Sequence, residues 1–353
     1  MLVVRPVRQN DLTDLLELAA QTSFGLTTLP RDPDFMRGRI AESVEAFDRL
    51  GARHSGDAAA WGRSPRGESY LFVMEETQTG RVVGTSGIVS KVGGFEPFYA
   101  YRIETSIHES AMLGVRKEIR TLHLVKEHDG PCEIGCMFLH PDARGGGAGR
   151  TLSLTRFLFM AEHPSSFDST VIAERRGVID DRGRSEFWDA VGKHFFDIDF
   201  PKADALSNLN KRFIADLLPQ HPIYIPLLPA SAQAVIGEVH PETVPALRIL
   251  AAEGFTFQGL VDIFEAGPIV SCRRDDLRLV RSSRRATVSA IAELPASSPD
   301  FIASAVDGEF RTCRTAIRVD ADGLVSLPEE TACALAVGPG SSIRFGSLRG
   351  PEP

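Results

Sequence analysis

Two features of this 353-residue sequence have residue types and spacings that could do chemistry: a glycine cluster at 145–149 and a histidine, His240, that is followed by proline. The cluster lies between an apolar, strand-like run at 134–139 and a segment whose apolar residues suit a packed helix. In a strand, loop and helix unit, the free N–H groups of the loop and of the first helical turn converge on one point, where the helix dipole adds partial positive charge. The cluster therefore predicts a phosphate-binding loop.

Counting residues separates three phosphate-loop spacings. A dinucleotide-binding GxGxxG that starts at Gly145 needs glycine at 150, where Arg150 stands. A GxxxxGK loop that ends at Gly149 needs glycine at 144, where Arg144 stands. The spacing that fits is Arg-x-x-Gly-x-Gly, formed by Arg144, Gly147 and Gly149. For this motif taken alone, a tight turn that only packs the helix on the strand remains the alternative.

The Arg-x-x-Gly-x-Gly motif resembles the pyrophosphate loop of the GNAT superfamily of acyl-CoA acyltransferases. The resemblance implies that the loop amides hold the pyrophosphate of coenzyme A and that the preceding strand presents the thioester. It also implies an α+β fold of the GNAT type, in which helices flank a mixed central sheet. The predicted coenzyme-binding residues are Arg144, Gly145, Gly146, Gly147, Ala148, Gly149 and Arg150.

The rest of the chain carries patterns for the elements that such a fold needs. Helix caps are predicted at Asn10 or Asp11, at Asp32 before Pro33, and at Ser185. The predicted strands are 2–7, 70–74, 82–89, 170–174 and 255–264, and a helix is predicted over 240–255.

The composition changes along the chain and predicts two domains. The acyltransferase domain is expected at 1–270, with an insertion near 98–130 that a minimal GNAT domain lacks. Residues 271–353 predict a small β-rich, β-barrel-like domain, because short alternating strands and basic clusters follow one another there.

Several dispersed blocks resemble the arginine N-succinyltransferase family, its alpha chain included. The resemblance implies transfer of succinyl from succinyl-CoA, as co-substrate, to the α-amino group of L-arginine or ornithine, the first step of succinyl-dependent arginine catabolism. An acyltransferase with another amine acceptor, or a CoA-binding, non-catalytic subunit of a heteromeric enzyme, remains open. The blocks are GLTTLP (25–30), HPDARGGGAGR (140–150), AERRGVIDDRG (173–183), HPIY (221–224), VIGEVHPET (235–243) and VDIFEAGP (261–268).

The resemblance also implies roles for single residues. Met137 contacts succinyl-CoA and His240 is the proton donor, while backbone donors around Cys136 and Met137 are the expected oxyanion site. Pro241 makes His240 extended and opens a helix, so partial positive charge keeps the ring neutral and able to take a proton. The alternative is a histidine that only caps its helix.

Substrate contacts are predicted at Arg176, Asp180 and Thr27. Arg176 and Asp180 lie in a densely charged stretch, and their charges suit a succinyl carboxylate or a cationic acceptor. A surface ion pair is the alternative for these two residues. Thr27 belongs to the GLTTLP block, and the loop that contains it borders the acceptor site in the GNAT fold.

Charge and composition limit the possible partners. A net charge of −8 argues against a nucleic-acid surface, which needs clustered Lys and Arg. No export signal and no run of about 18 apolar residues is visible, so we expect a cytoplasmic protein without membrane contact. The five cysteines form no C-x-x-C pair, and we expect no metal site. A homodimer, or a heterodimer with a paralogous chain, is left open.

Overall fold

The computed structural model describes residues 1–22, 29, 31–54, 67–207, 212–295 and 298–350. Its strands are β1 (Leu2–Pro6), β2 (Ser69–Glu76), β3 (Val82–Val89), β4 (Gly93–Ser110), β5 (Val115–Asp129), β6 (Cys132–Leu139), β7 (Thr170–Glu174), β8 (Ile223–Tyr224), β9 (Thr256–Val261), β10 (Pro268–Arg273), β11 (Arg284–Ile291), β12 (Asp300–Ala305), β13 (Thr312–Ala316), β14 (Arg318–Val319), β15 (Val325–Leu327) and β16 (Ser342–Ser347). Its helices are α1 (Leu12–Ala20), α2 (Pro33–His54), α3 (Ala148–Glu162), α4 (Glu186–Ala190), α5 (Lys193–Phe196), α6 (Phe200–Ser207), α7 (Arg212–Leu217), α8 (Ala230–Val235), α9 (Val244–Ala252), α10 (Arg278–Ser282) and α11 (Glu329–Leu335).

The described strands form one mixed sheet, in the order β14-β15-β11-β16-β12-β13-β1-β2-β3-β6-β7-β10-β9-β4-β5-β8. Most neighbours are antiparallel, whereas β6 pairs parallel with β7 across the α3 connection. Strand β6 therefore lies near the middle of the sheet, between β3 and β7. The predicted mixed central sheet with flanking helices is confirmed.

Polar side chains set the ends of several helices. Asp32 Oδ1 accepts the Phe35 N–H at 2.8 Å, and Ser185 Oγ accepts the Trp188 N–H at 3.1 Å, as their patterns predict. Asp11 stands at the N-terminus of α1, but its carboxylate does not cap that helix. It accepts hydrogen bonds from the buried Arg5 guanidinium instead, because an unpaired buried guanidinium would be costly.

Helix α3 is buried on nearly all sides, with 12 of its 15 residues buried. One side packs in the core with Tyr70 and Phe72 of β2, and the same cluster includes Ile302 and Leu348 of the C-terminal region. A helix that is covered all round needs no single apolar stripe. The glycine loop is therefore anchored by the most enclosed helix of the fold.

The predicted insertion is a long hairpin of β4 and β5. Its ladder runs without a break from Phe98↔Glu127 to Ser110↔Val115. The sheet holds it only near its base, through Tyr101 and Arg102 to β9 and through Thr121 and Leu122 to β8. The far end of the hairpin therefore extends beyond the sheet.

The C-terminal strands continue the sheet past β1, through the pairs Val3↔Cys313 and Val4↔Thr312. They also enclose a core cluster of their own, which includes Val288, Leu327 and Phe345. The boundary at 270 and the barrel-like closure stay predictions. No helix in the described ranges is long and apolar enough to span a membrane.

Candidate active site

The glycine loop has the backbone that its composition predicts. Gly145, Gly146 and Gly147 have φ values of 113°, 55° and 86°, which L side chains rarely adopt. The Ala148 N–H donates to Gly145 O, and the Thr151 N–H to Gly147 O. Within the described residues, the N–H groups of Gly146, Gly147, Gly149 and Arg150 donate no hydrogen bond. These four amides, in the loop and the first turn of α3, are therefore available to bind an anion, as predicted for this loop.

The space above the loop is open. A Cβ atom added to Gly145 or Gly146 would meet no protein atom within 4 Å, and one on Gly149 would meet only Leu139 Cδ2, at 3.9 Å. The Arg144 side chain is exposed and donates from Nε to Leu139 O. One contact comes from outside this unit: Arg314 of β13 donates from Nη1 to Gly146 O. The loop can therefore receive a ligand from solvent, and the C-terminal region supports it.

Strand β6 carries a bulge immediately before the loop. Thr85 pairs with Phe138 and Gly87 with Gly135, so Cys136 and Met137 together face one residue of β3. Cys136 has φ 51°, in the left-handed region, and its carbonyl accepts from Thr85 Oγ1 at 2.7 Å. Bulges re-aim backbone groups and are frequent beside active sites. The oxyanion role of the backbone donors at this bulge stays a prediction.

Strands β6 and β7 part beside the bulge. Their parallel ladder contains only Cys132↔Val171 and Glu133↔Ile172. Beyond Glu133 and Ile172 the two strands have no further ladder pairs, and we call the place where they separate, at the edge where both end, the cleft. Met137 belongs to the unpaired part of β6.

His240 is tied to the end of β7. Its N–H donates to Arg176 O at 2.8 Å, and its ring Nδ1 accepts the Glu242 N–H at 3.3 Å. The side chain is only 15% exposed. Residues Pro241–Thr243 form one 3-10 turn with His240 at its N-terminus, and α9 follows it directly from Val244, so His240 lies at the start of a helical segment, as predicted.

The pKa of His240 is lowered from its ordinary value. Burial is the main cause and the positive charge of Arg176 adds to it, while Glu242 and Asp181 act in the opposite direction. A ring that is mostly neutral at pH 7 is what the sequence led us to expect. The causes are burial and Arg176, rather than the dipole of a long helix.

His140 shows that capping geometry alone does not mark a catalytic histidine. It precedes Pro141-Asp142 as His240 precedes Pro241-Glu242, and its Nδ1 accepts the Asp142 N–H at 3.2 Å. The two caps are alike. What distinguishes His240 is its position against Arg176.

The three predicted substrate contacts differ in their surroundings. Arg176 lies beside His240, and its Nη1 is 3.5 Å from Glu242 Oε2. Asp180 is engaged within its own loop, where it pairs with Arg184 Nε at 2.8 Å and accepts the backbone N–H of Arg182 and Arg184. Its hydrogen bonds with Arg184 hold the pKa of Asp180 below its ordinary value. Thr27 lies outside the described residues.

The sequence did not predict the residues that hold the segment after β7 in place. Glu265 Oε1 accepts the Gly177 N–H at 2.7 Å, and burial, with the nearby Asp262 charge second, raises the pKa of Glu265 well above its ordinary value. A Cβ on Gly177 would lie 2.8 Å from the Gly267 nitrogen, so both glycines allow a close backbone contact. The AERRG and FEAGP blocks were visible in the sequence, but nothing in it showed that they touch.

A buried arginine was missed as well. Arg156 of α3 is 2% exposed and its Nη2 lies 3.8 Å from Met137 Sδ. Burial, with the nearby charge of Arg175 second, lowers the pKa of Arg156 to about 9. The available signal was a single charged residue, Arg156, in the otherwise uncharged run 151–161.

Comparison with known proteins identifies the family. A model of the arginine N-succinyltransferase beta subunit matches residues 2–279, and a model of that subunit's C-terminal domain matches 284–346. The chain belongs to the arginine N-succinyltransferase family. A protein of that name from Yersinia enterocolitica is 40% identical over 355 residues, covering 100% of this chain and 99% of the relative. One from Photorhabdus laumondii is 40% identical over 351 residues.

A solved structure agrees with this assignment. The arginine/ornithine succinyltransferase subunit AI from Pseudomonas aeruginosa shares 34% identity with this chain, at a TM-score of 0.86 and with 99% of both chains covered. The family predicted from the dispersed sequence blocks is confirmed.

This arginine N-succinyltransferase family member has a large cavity far from the predicted CoA-binding loop. Its lining includes Phe47, Glu162 and Phe310. Glu162 ends α3, so the cavity is about 20 Å from the glycine loop, since a 15-residue helix rises about 1.5 Å per residue. This cavity therefore does not coincide with the predicted site residues, whose role stays a prediction.

Within the described residues, no group of three or more His, Cys, Asp or Glu side chains could hold a metal ion. All five cysteines are free thiols, and Cys132, Cys136, Cys272 and Cys313 are buried. Burial, the largest cause, raises the pKa of Cys132 and of Cys313, the latter to about 12, so these thiols are poor nucleophiles.

Proposed function

We propose that this chain transfers the succinyl group of succinyl-CoA to the α-amino group of L-arginine, and of ornithine as an alternative acceptor. This is the first step of succinyl-dependent arginine catabolism. The observation that carries the proposal is the full-length match to arginine N-succinyltransferases. The backbone N–H groups around the start of α3 that donate no hydrogen bond support it. Its fold is then of the GNAT type, which the β6, loop and α3 unit supports.

The donor is held along β6 in this proposal. Free amides from Gly146 to Arg150 bind the pyrophosphate of coenzyme A. The thioester lies in the cleft where β6 and β7 part, beside Met137. Backbone donors at the bulge of Cys136 and Met137 stabilise the oxyanion that forms when the amine attacks.

His240 moves the proton. Because Nδ1 accepts the Glu242 N–H, the resting neutral ring carries its proton on Nε2. The ring can protonate the departing thiolate only as the imidazolium, from Nε2, after it has taken the amine proton. Taking the amine proton at Nε2 requires the ring proton to sit on Nδ1. The nearby acceptor for that Nδ1 proton is the Glu242 carboxylate, whose Oε2 is 3.9 Å from Nδ1. Arg176 and Asp180, with Thr27, remain the proposed substrate contacts.

The test is an acceptor panel. Release of the CoA thiol and formation of the N-succinyl product are measured together, with L-arginine, L-ornithine, a polyamine and a peptide N-terminus as acceptors. The proposal expects turnover with arginine or ornithine far above that with the other amines. Turnover limited to the polyamine or the peptide would contradict the acceptor assignment, and CoA binding without any turnover would favour a non-catalytic subunit.

We also propose that the chain associates with a second subunit, either its own copy or a paralogue. The matching family and the Pseudomonas structure are both named as subunits, which supports this. The end of the β4–β5 hairpin adds support, because Met112 is 91% exposed and Leu113 is 68% exposed. Sedimentation of the intact protein and of a Met112→Ser, Leu113→Ser variant tests it, and an unchanged monomer in both would refute it.

Three further assignments belong to the proposal. The C-terminal region from 271 forms its own small, barrel-like unit, which its separate core cluster supports. The acyltransferase unit then spans 1–270. The proposed substrates, succinyl-CoA and an amino acid, are metabolites of the cytoplasm, which supports the predicted location.

A further inference from the structure

Within the described residues, two arginines beside the cleft have no acidic partner: Arg156 is buried, and Arg175 is half-buried with a buried Nε. Arg156 donates from Nε to Ser153 O at 3.0 Å and from Nη2 to Ser153 Oγ at 2.8 Å, and it also contacts Met137 Sδ. Arg175 follows β7 directly, and its Nε is buried with no hydrogen-bond partner. In the ranges that the structure describes, neither guanidinium forms an ion pair with a carboxylate.

Several other buried charged groups of the chain are paired. Arg5, 3% exposed, binds the carboxylates of Asp11 and Glu75. Among the carboxylates, Glu253 binds Arg278, and Glu162 binds both Arg285 and Arg344. A buried guanidinium is normally compensated in this way, because burial without a counter-charge is unfavourable. Arg156 and Arg175 depart from that rule together.

The two unpaired cations are neighbours. The positive charge of Arg175 lowers the pKa of Arg156, after burial as the main cause, and burial lowers the pKa of Arg175 too. Each cation therefore makes the other less favourable. A bound anion between them would remove both penalties, and the planar guanidinium suits a carboxylate because it can donate two parallel hydrogen bonds.

The position of the pair limits what that anion can be. Arg156 contacts Met137, one of the two residues of the bulge, and Arg175 follows the end of β7, on the other side of the cleft. An acyl group whose thioester carbonyl sits at the bulge would extend between these two side chains.

We propose that Arg156 and Arg175 bind the terminal carboxylate of the acyl donor and thereby select succinyl-CoA over acetyl-CoA. The inference rests on the proposed function and names the residues that determine its donor. An acetyl group would leave both guanidinium groups unpaired, so the protein loses a charge-assisted contact with that donor. Both residues act on donor binding, and neither needs to take part in proton transfer.

The experiment compares donor affinities by calorimetry. The parent protein should bind succinyl-CoA at least about tenfold more tightly than acetyl-CoA. Arg156→Met and Arg175→Met each keep a long apolar side chain and remove the charge. In each variant the ratio should fall to within about twofold, through weaker succinyl-CoA binding and unchanged acetyl-CoA binding. A ratio that stays at the parental value in both variants overturns the proposal.

Thermal unfolding without ligand separates this role from a structural one. Removing an unpaired buried charge should leave the Tm of Arg156→Met equal to or above that of the parent. Arg5→Met is the matched control, because it leaves Asp11 and Glu75 without their partner. It should lower the Tm by several degrees and leave the donor ratio unchanged. A large loss of Tm in Arg156→Met, with both donors weakened equally, would show a structural role and overturn the proposal.

A carboxylate is also present on the acceptor, so the steady-state assay uses L-arginine and L-arginine amide in parallel. If the variants lose the same factor with both acceptors, the anion belongs to the donor, as proposed. A loss seen with arginine and absent with its amide would assign the pair to the acceptor carboxylate and overturn the proposal. Absence of succinyl transfer in the parent protein would instead refute the proposed function itself.

Discussion

Replacing His240 by alanine and by asparagine separates proton transfer from helix capping. Both substitutions remove the titrating ring. Only alanine also removes the acceptor of the Glu242 N–H, since the asparagine side-chain oxygen can take the place of Nδ1. The pair of variants therefore tests two roles that a single substitution would confuse.

The magnitudes follow from the geometry. The cap is one hydrogen bond of 3.3 Å at a partly exposed turn, so its loss costs about 1 kcal/mol, which lowers the Tm by about 2–4 °C. Proton transfer by a positioned side chain contributes about 10²–10⁴ in rate. We expect His240→Ala to lower both the Tm and kcat. His240→Asn should have the Tm of the parent, while its kcat stays two to four orders of magnitude below that of the parent.

Initial rates at saturating succinyl-CoA and arginine measure kcat, and calorimetry measures donor affinity, which should stay within about threefold in both variants. His140→Asn provides a matched substitution at the second His-Pro cap. If His240→Asn retains more than about a tenth of the parental kcat, the histidine is a cap and another group or water carries the proton.

Three further predictions concern the loop, the pH profile and the C-terminal region. Gly149→Val should weaken succinyl-CoA binding at least about tenfold, with little change in Tm. The control is Gly38→Val, at another open helical glycine, which should change no more than the Tm and leave the affinity measured by calorimetry unchanged. Equal affinities in the parent and both variants would refute the loop assignment. Arg176→Gln removes a positive charge that lowers the pKa of His240, so His240 is deprotonated only at higher pH and the acid limb of the kcat/KM profile should move to higher pH. Glu242→Gln removes a negative charge that raises this pKa, so the acid limb should move to lower pH. Shifts of the acid limb in the same direction in both variants would show that another group titrates. Arg314→Ala removes the hydrogen bond to Gly146 O and should weaken CoA binding, measured by calorimetry, by about threefold to tenfold. The control Arg318→Ala, in the same C-terminal region, should leave CoA binding unchanged. Equal effects of the two substitutions would mean that the Arg314 contact does not order the loop.

Local patterns predicted the elements of the site. The glycine spacing and the apolar run before it predicted β6, the loop and α3, because backbone conformation there depends on residue type within a few positions. The caps at Asp32 and Ser185 were predicted for the same reason. The cap at Asp11 failed because a tertiary partner, Arg5, takes its carboxylate.

Contacts between distant blocks could not be predicted. The meeting of Gly177 with Gly267 joins positions 90 residues apart, and the bulge at Cys136 depends on the register against β3. The significance of Arg156 depends on the absence of a nearby acid, which is a property of the packed structure. Sequence periodicity gives the direction in which a side chain points along its own element, not what it meets.

The most direct test of the central claim is a calorimetric titration of the protein with succinyl-CoA, followed by injection of L-arginine into the complex. The account predicts saturable donor binding that Gly149→Val weakens, and then a heat of turnover on arginine addition, with N-succinylarginine in the cell and one free CoA thiol per product. Donor binding that is unaffected at Gly149, or arginine addition that yields neither heat nor product, would contradict it.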